Sequence, residues 1–278
     1  MGFFFFFPKS FYNLLGMKLF CFDLDGTILD KDKIFRESTI ASIRQIQTKG
    51  HAVCLASGRP FSGISPFLRK LDSKNLYAVA FNGAALYKGN GELLYENGFP
   101  FRVFLDFHDS HKDFIHNGVD IYCYTEHEVC SFESSEGIYY EHRLNDEPIR
   151  MLHERPLASS NTIMKFMVVS KDTKKIDEIE KTIDVPSLHT VRSDPRFFEF
   201  TKKGVDKSSA IERLRLLLHI GKREDVVTFG DAGNDFLMLK DYYGIAMGNA
   251  TEECRQVAKK VTLDCKGDGV SYALTNWF

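Results

Sequence analysis

The chain has 278 residues, of which 44% are hydrophobic and 27% are charged, so its composition is that of a folded globular protein rather than a disordered or fibrous one. Its 36 basic and 38 acidic side chains nearly cancel to a formal charge of -2, which gives no electrostatic case for binding nucleic acid or an anionic membrane. At this length we expect either one large domain or two smaller ones.

The N-terminus and the cysteines indicate in which compartment of the cell the protein is found. Residues 1–16 include a short phenylalanine run, far below the roughly 20 apolar residues that span a bilayer, and we interpret them as a disordered or artefactual extension. A genuine extension that makes a weak membrane or partner contact is the alternative. The six cysteines are scattered without a C-x-x-C pair, so we expect buried free thiols and a cytoplasmic location.

Strands and helices alternate over the first part of the chain. Residues 19–22 are continuously apolar and stop abruptly at Asp23, which is typical of a buried parallel strand at its carboxyl end. A helix that ends at Gly50, a second apolar strand at residues 52–56 and a helix from residue 61 follow. This alternation predicts an open parallel sheet, and such sheets bind ligands beyond the carboxyl ends of their strands.

The pattern changes near residues 82–83, after which an Asn90-Gly91 turn indicates a hairpin. We assign residues 85–200 to an inserted α/β domain. Its predicted elements are helices at residues 104–115 and 176–183, strands at residues 119–124, 129–132, 163–169, 188–191 and 197–200, and a loop-rich stretch after residue 132. After Gly204 the alternation of helix and strand returns, so the core domain comprises residues 17–84 and 201–278.

The first polar cluster is D-L-D-G-T at residues 23–27, directly after the first strand. It places two carboxylates and a hydroxyl in a tight turn that its glycine permits. A calcium-binding loop is excluded, because Ile28 and Ile34 stand where such a loop requires glycine and glutamate. An ordinary solvated turn is the alternative for this pentapeptide alone, and the context in the rest of the chain decides against it.

Two further positions could bind an anion. Ser57 follows a buried strand and precedes a helix, so its hydroxyl and the nearby amides can face a phosphate, although a simple helix cap is the alternative. Lys207 lies near the start of a helix, where a cation opposes the helix dipole at a cost of roughly 0.3 to 1 kcal/mol. A nearby anion would explain this lysine, and so would solvent exposure.

A second acidic turn, G-D-A-G-N-D at residues 230–235, follows another buried strand. Asn234 and Asp235 are suited to begin a helix, but capping does not account for Asp231 at the strand end. We expect Asp231 to join Asp23 in an oxygen-rich pocket suited to Mg²⁺.

These four segments, in this order, resemble the motifs of the haloacid dehalogenase superfamily, specifically its Cof-type sugar-phosphatase branch. The match covers residues 17–278 and rests on D-x-D-G-T at residues 23–27, on Ser57, on Lys207 and on G-D-x-x-N-D at residues 230–235. The loops F-N-G-A at residues 81–84 and A-M-G-N-A at residues 246–250 are also similar to those of the branch. The resemblance implies an α/β fold with a Rossmann-like open parallel sheet core and an inserted α/β cap domain.

The resemblance also implies roles for the motif residues. Asp23 would attack phosphorus, and Asp25 would protonate the leaving oxygen and later activate water. Mg²⁺ would be bound by Asp23, the Asp25 carbonyl and Asp231. The residues that would hold the phosphate are Thr27, Ser57, Gly58 and Lys207, and those that would support the metal site are Asn234 and Asp235.

We therefore expect a Mg²⁺-dependent phosphomonoester hydrolase that acts on a small phosphorylated metabolite, such as a sugar phosphate, through an aspartyl-phosphate intermediate. A sugar phosphomutase of the same superfamily and a non-catalytic phosphate-ligand sensor are the alternatives. The insert should be a mobile cap that selects the leaving group, with hinges near residues 83–85 and 201–204 and with residues 192–194 as a candidate substrate-facing loop. We expect no nucleic-acid or membrane partner, and a monomer or weak homo-oligomer.

Overall fold

The computed structural model describes residues 16–71, 73–183 and 185–278, so the interpretation of residues 1–16 lies outside the described part of the chain apart from Gly16. Within these ranges no helix is both long enough and apolar enough to cross a bilayer. The cysteines are free thiols, and all are buried except the half-buried Cys265.

The elements follow one another in chain order. The strands are β1 (Leu19–Phe22), β2 (Ala52–Ala56), β3 (Leu76–Ala80), β4 (Ala85–Lys88), β5 (Leu93–Glu96), β6 (Phe99–Pro100), β7 (Asp120–Tyr124), β8 (Val129–Ser131), β9 (Ile149–Met151), β10 (Thr162–Ile163), β11 (Lys165–Val169), β12 (Leu188–Asp194), β13 (Phe197–Lys202), β14 (Val226–Gly230), β15 (Tyr243–Ala246) and β16 (Lys260–Val261). The α-helices are α1 (Glu37–Thr48), α2 (Phe61–Leu71), α3 (Phe101–Ser110), α4 (Lys112–His116), α5 (Glu136–Asn145), α6 (Thr173–Thr182), α7 (Lys207–Leu217), α8 (Phe236–Asp241), α9 (Glu252–Val257) and α10 (Gly269–Trp277).

The core domain is built on an eight-stranded sheet in the order β16-β15-β14-β1-β2-β3-β4-β5. The strands from β16 to β3 are mutually parallel, which confirms the predicted parallel sheet. β1 lies between β14 and β2, and its four residues are fully buried. The carboxyl ends of these three strands therefore meet at one edge of the sheet.

The inserted domain has a six-stranded sheet in the order β12-β13-β11-β7-β8-β9. Its pairs are antiparallel except for β8 with β9. Side chains alternate along β11, so that Phe166 packs against Phe104 of α3 with ring centroids 5.7 Å apart, while Met167 joins the hydrophobic cluster that includes the core domain. Phe81 of the core contacts Tyr124 across the domain interface, with centroids 5.8 Å apart.

The structure corrects the predicted boundary of the insert. The hairpin of residues 85–96, assigned from the sequence to the insert, forms β4 and β5 at the edge of the core sheet, where β4 pairs antiparallel with β3. At the other end, β13 continues to Lys202 within the insert's own sheet. The sequence revealed the turn but not the sheet that its strands join. We call residues 97–202 the cap.

Two helices of the cap also differ from the sequence-based prediction. The helix predicted at residues 104–115 is two helices, α3 and α4, separated at His111. The loop-rich stretch contains α5, whose N-cap Ser135 accepts a hydrogen bond from the backbone N–H of Ile138. This helix packs on the side of the cap sheet that faces the core, where it forms part of the cleft described below.

Candidate active site

Three adjacent strand ends bring the predicted acidic turns and the serine together. Asp23 follows β1, and its backbone N–H donates a 3.0 Å hydrogen bond to the carbonyl of Phe229 in β14. Ser57 follows β2 on one side of β1, and Asp231 follows β14 on the other. The parallel register of the three strands therefore places residues that are more than 200 positions apart at one site.

Lys207 lies beneath this edge at the start of α7 and is fully buried. Its Nζ donates to Asp23 Oδ1 at 2.6 Å and to Asp235 Oδ1 at 2.7 Å. Burial alone would lower the pKa of Lys207, but the charges of the two carboxylates outweigh burial and raise the pKa. Solvent exposure therefore does not explain this lysine, which remains an ammonium held between two acids.

Three carboxylates converge above the lysine: oxygens of Asp23, Asp231 and Asp235 all lie within 4.8 Å of one another. Burial and the charges of Asp235 and Asp231 raise the pKa of Asp23, against the opposing effect of Lys207. Burial and Asp235 raise the pKa of Asp231 to about 7. Such a cluster of mutually repelling oxygen ligands fits a hard divalent cation, because positive charge would stabilise the ionised forms.

Hydrogen bonds fix the orientation of these acids. Asp231 accepts from the Thr27 hydroxyl and from the Asn249 side-chain amide, each at 3.2 Å. Asp235 Oδ2 accepts from the backbone N–H groups of Asp231 at 2.9 Å and Ala232 at 3.2 Å. With Lys207 on its other oxygen, Asp235 holds the turn in place.

The side chain of Thr27 contacts the acidic cluster. Its hydroxyl donates its single hydrogen to Asp231, so here the side chain orients an acid, and the phosphate-binding role expected for Thr27 stays a prediction. Gly26 makes this close approach possible. Its φ is +92°, and a Cβ at this position would lie 2.3 Å from a carboxylate oxygen of Asp231.

Asp25 points away from the three-carboxylate cluster towards two cations. Arg59 binds both its oxygens, with Nε–Oδ2 and Nη2–Oδ1 distances of 2.8 and 2.6 Å, and Lys33 donates to Oδ1 at 2.7 Å. Burial opposes ionisation, but these two partners together lower the pKa of Asp25. The sequence patterns did not identify Arg59 as a site residue, although it directly follows Ser57 and Gly58.

Ser57 and Gly58 line the cleft at the end of β2. The Ser57 Oγ accepts a 3.2 Å hydrogen bond from the backbone N–H of Arg59, so its own hydrogen can be donated to a ligand. Asn234 has a different contact: its side-chain amide donates to Asn82 Oδ1 at 3.1 Å.

A chain of polar contacts runs from Asn234 into the cap. The Asn82 amide donates to Glu199 Oε2 at 3.0 Å, and Lys165 binds the same carboxylate oxygen at 3.0 Å. Lys165 and Glu199 lie on the neighbouring cap strands β11 and β13, and only 6% of each side chain is exposed. The cap is thus tied to the turn that carries the acidic cluster.

The core and the cap enclose a cleft of about 280 Å³. Its walls include Asp23, Asp25, Ser57, Gly58, Arg59 and Asn234 from the core and Glu141, Asn145, Lys165, Arg196, Phe197 and Glu199 from the cap. The predicted substrate-facing segment, residues 192–194, ends the strand β12, and Arg192 is directed to Asp177 and Glu180 of α6. Arg196 and Phe197, just beyond this segment, line the cleft.

The sequence is similar to known enzymes over nearly its whole length. Residues 20–274 match the family model described as haloacid dehalogenase-like hydrolase. The 5-amino-6-(5-phospho-D-ribitylamino)uracil phosphatase of Bacillus subtilis is 26% identical over 279 residues, which cover 94% of this chain and 97% of the relative.

Solved structures show the same arrangement of core and cap. A haloacid dehalogenase-like hydrolase from Bacteroides thetaiotaomicron superposes with a TM-score of 0.82 at 28% identity, covering 94% of this chain and all of the other. A chain described as a HAD subclass IIB sugar phosphatase superposes with a TM-score of 0.75 at 26% identity, covering 94% of this chain and 99% of the other.

Proposed function

Because this chain belongs to the haloacid dehalogenase-like hydrolases and is a phosphatase, we propose that it hydrolyses a small phosphorylated metabolite with Mg²⁺ through an aspartyl-phosphate on Asp23. One observation carries the proposal: the buried Lys207 lies between Asp23 and Asp235, in a cluster whose third acid is Asp231. Lys207 holds Oδ1 of Asp23, so the other oxygen of Asp23 would attack phosphorus, and the acidic cluster would bind a cation beside it.

Asp23 is the proposed nucleophile. In the first step its carboxylate oxygen forms a bond to phosphorus while the bond from phosphorus to the leaving oxygen breaks. In the second step water attacks phosphorus and releases inorganic phosphate, which restores the Asp23 carboxylate. Lys207 binds one oxygen of Asp23 at 2.6 Å, so it fixes the orientation of the carboxylate and stabilises its ionised form.

Asp23 and Asp231, with the Asp25 carbonyl, are the proposed Mg²⁺ ligands, and Asp235 supports them. The bound cation would supply positive charge that offsets the repulsion between the carboxylates and the phosphate. Burial and the neighbouring carboxylates raise the pKa values of Asp23 and Asp231, which supports this assignment because a bound cation would stabilise both ionised forms.

Asp25 is the proposed acid and base. Its ion pairs with Arg59 and Lys33 lower its pKa and favour the carboxylate, the form that accepts a proton from attacking water. To donate a proton to the leaving oxygen, Asp25 must first be protonated. A substrate phosphate would compete for Arg59 and Lys33, and loosening these ion pairs would raise the proton affinity of Asp25.

The cap side of the cleft suits a polar leaving group. Glu141 and Asn145 of α5 line this side of the cleft. Glu199 and Lys165 add an acceptor and a donor to the same wall. Such groups can bind sugar hydroxyls, which agrees with the sugar phosphatase and the ribitylaminouracil-phosphate phosphatase among the similar proteins. A sugar phosphate or sugar-alcohol phosphate is the proposed class.

A turnover screen tests the proposal. Purified protein with Mg²⁺ should release inorganic phosphate from members of a panel of phosphorylated sugars, nucleotides and cofactors. Asp23→Asn should abolish release and also the acid-stable labelling of the protein by substrate that carries radioactive phosphate, because the amide is not a nucleophile. Asp106→Asn, the same change at an exposed position in α3, is the control. Labelling of folded Asp23→Asn protein at the wild-type level would contradict the assignment.

A further inference from the structure

We infer that the catalytic cleft continues into a second cavity in the cap, and that this cavity binds a planar aromatic or heterocyclic group at the far end of the leaving group. The inference rests on the proposed phosphatase function and specifies the substrate class further. It concerns the part of the substrate most distant from Asp23.

The second cavity has a volume of about 490 Å³. It lies beside the first turn of α5, the start of β7, the end of β11 and the turn between β12 and β13. Tyr140, Arg196 and Phe197 line both this cavity and the catalytic cleft. The two cavities therefore adjoin at these three side chains, and a ligand whose phosphate is held at Asp23 would pass them to reach the cap cavity.

The size of the two cavities favours an extended ligand. Pockets for small ligands commonly measure roughly 300 to 1,000 Å³. The catalytic cleft, about 280 Å³, is at the lower limit of this range and must also hold the phosphate group. The cleft and the cap cavity together lie well inside the range, so a compact sugar phosphate would leave the cap cavity unfilled.

The walls of the cap cavity favour a flat aromatic ring. Val169 contributes apolar surface from the sheet, and Tyr140 and Phe197 contribute aromatic surface at the junction with the cleft. Tyr140 is 43% exposed, so much of its ring remains open to a ligand. Aromatic side chains bind planar rings through stacked or edge-to-face contacts in addition to burial of apolar area.

Polar and charged residues make up seven of the thirteen that line this cavity: Asp120, Glu136, Ser170, Lys171, Asp172, Lys175 and Arg196. Asp120 accepts a 3.1 Å hydrogen bond from the backbone N–H of Gly137, and a Cβ on Gly137 would lie 2.3 Å from the same carboxylate oxygen. Lys171 and Lys175 lie at the other side of the cavity. A heterocycle with both donors and acceptors would find partners in this set.

The test compares two substrates that share one linker. Ribitol 5-phosphate and riboflavin 5′-phosphate carry the same phosphorylated chain, and the second adds a planar ring system. We expect kcat/KM with Mg²⁺ to be at least tenfold higher for riboflavin 5′-phosphate. Tyr140→Ala should reduce the ratio of the two kcat/KM values at least tenfold, because it removes aromatic surface that contacts the ring.

Tyr139→Ala is the matched control. Tyr139 is the neighbouring residue of α5 and is 46% exposed, but it does not line either cavity. Its replacement should leave the ratio within twofold of wild type. A second variant, Val169→Phe, should lower the ratio by filling the cavity from the sheet side, and circular dichroism would verify that each variant is folded.

The outcomes separate this inference from the proposed function. Hydrolysis of phenyl phosphate together with a ratio near one, or a ratio that Tyr140→Ala leaves unchanged, would overturn the ring site while the phosphatase assignment stands. Absence of phosphate release from every substrate would overturn the assignment. In that case a titration of riboflavin fluorescence decides on the ring site: at least tenfold weaker binding to Tyr140→Ala than to Tyr139→Ala supports it, and equal binding overturns it.

Discussion

The buried ion pair between Lys165 and Glu199 provides a stringent test of how the cap is held. Only 6% of each side chain is exposed, and their charged atoms are 3.0 Å apart. Glu199→Gln keeps an oxygen that can accept the hydrogen bond from Asn82 but removes the charge that balances the lysine. Since removal of one partner leaves an uncompensated buried charge, we expect the free energy of unfolding to fall by about 3 to 5 kcal/mol.

An exposed pair in the same protein supplies the control. Lys88 and Glu92 are 2.8 Å apart, but 45% and 51% of their side chains are exposed. Glu92→Gln should therefore change the free energy of unfolding by less than about 1 kcal/mol. With a urea m-value of about 3 kcal/mol/M, Glu199→Gln should lower the unfolding midpoint by about 1 to 2 M, several times the effect of the control.

A double variant distinguishes loss of charge balance from loss of packing. Lys165→Met combined with Glu199→Met removes both charges and should be more stable than either single variant, because neither charge is then left buried alone. Urea unfolding followed by fluorescence and circular dichroism would measure the wild type, the single variants and the double variant. If Glu199→Gln shifted the midpoint no more than Glu92→Gln, the pair would not stabilise the cap in the way its burial indicates.

The remaining predictions concern catalysis. Asp25→Asn should slow both formation and breakdown of the phosphoenzyme by about 10²-fold or more, and single-turnover kinetics with wild-type rates for both steps would require another acid and base. Excess EDTA should stop phosphate release and added Mg²⁺ should restore it; full activity in EDTA would refute the metal assignment. Gly26→Ala should displace Asp231 and weaken Mg²⁺ binding measured by calorimetry, whereas Gly221→Ala, where a Cβ meets no neighbouring atom within 4 Å, should not. Replacing residues 97–202 with a short linker should reduce selectivity among sugar phosphates more than it reduces hydrolysis of phenyl phosphate, and unchanged preferences in a folded product would refute a selective cap.

The sequence determined where the proposed catalytic groups lie along the chain. The apolar run 19–22 is short, continuous and ended by Asp23, and a buried parallel strand has this pattern because both its faces are covered. The same pattern before Ser57 and Asp231 predicted that all three residues lie at carboxyl ends of strands. Since neighbouring parallel strands end at one edge, local patterns were enough to predict that Asp23, Ser57 and Asp231 lie together.

Contacts between distant residues were decided by the tertiary structure. The sequence marks Asp25, Thr27 and Arg59 as polar residues in turns, but it does not show that Arg59 binds Asp25 or that Thr27 donates to Asp231. These pairs depend on the relative orientation of turns from different strands. Side-chain direction at a strand end is set by the backbone of the turn, and hydrophobic periodicity contains no information about it.

The same limit applies to the cap. A hairpin signal at residues 90–91 is local, whereas the choice of sheet depends on which strand edge is free, and β3 provided that edge in the core. The polar chain from Asn234 through Asn82 to Glu199 joins three separate parts of the sequence. Local propensity determined the strands, helices and turns of this protein, while the packing of its two domains decided which of their polar side chains meet, because those contacts form only when distant segments are brought together.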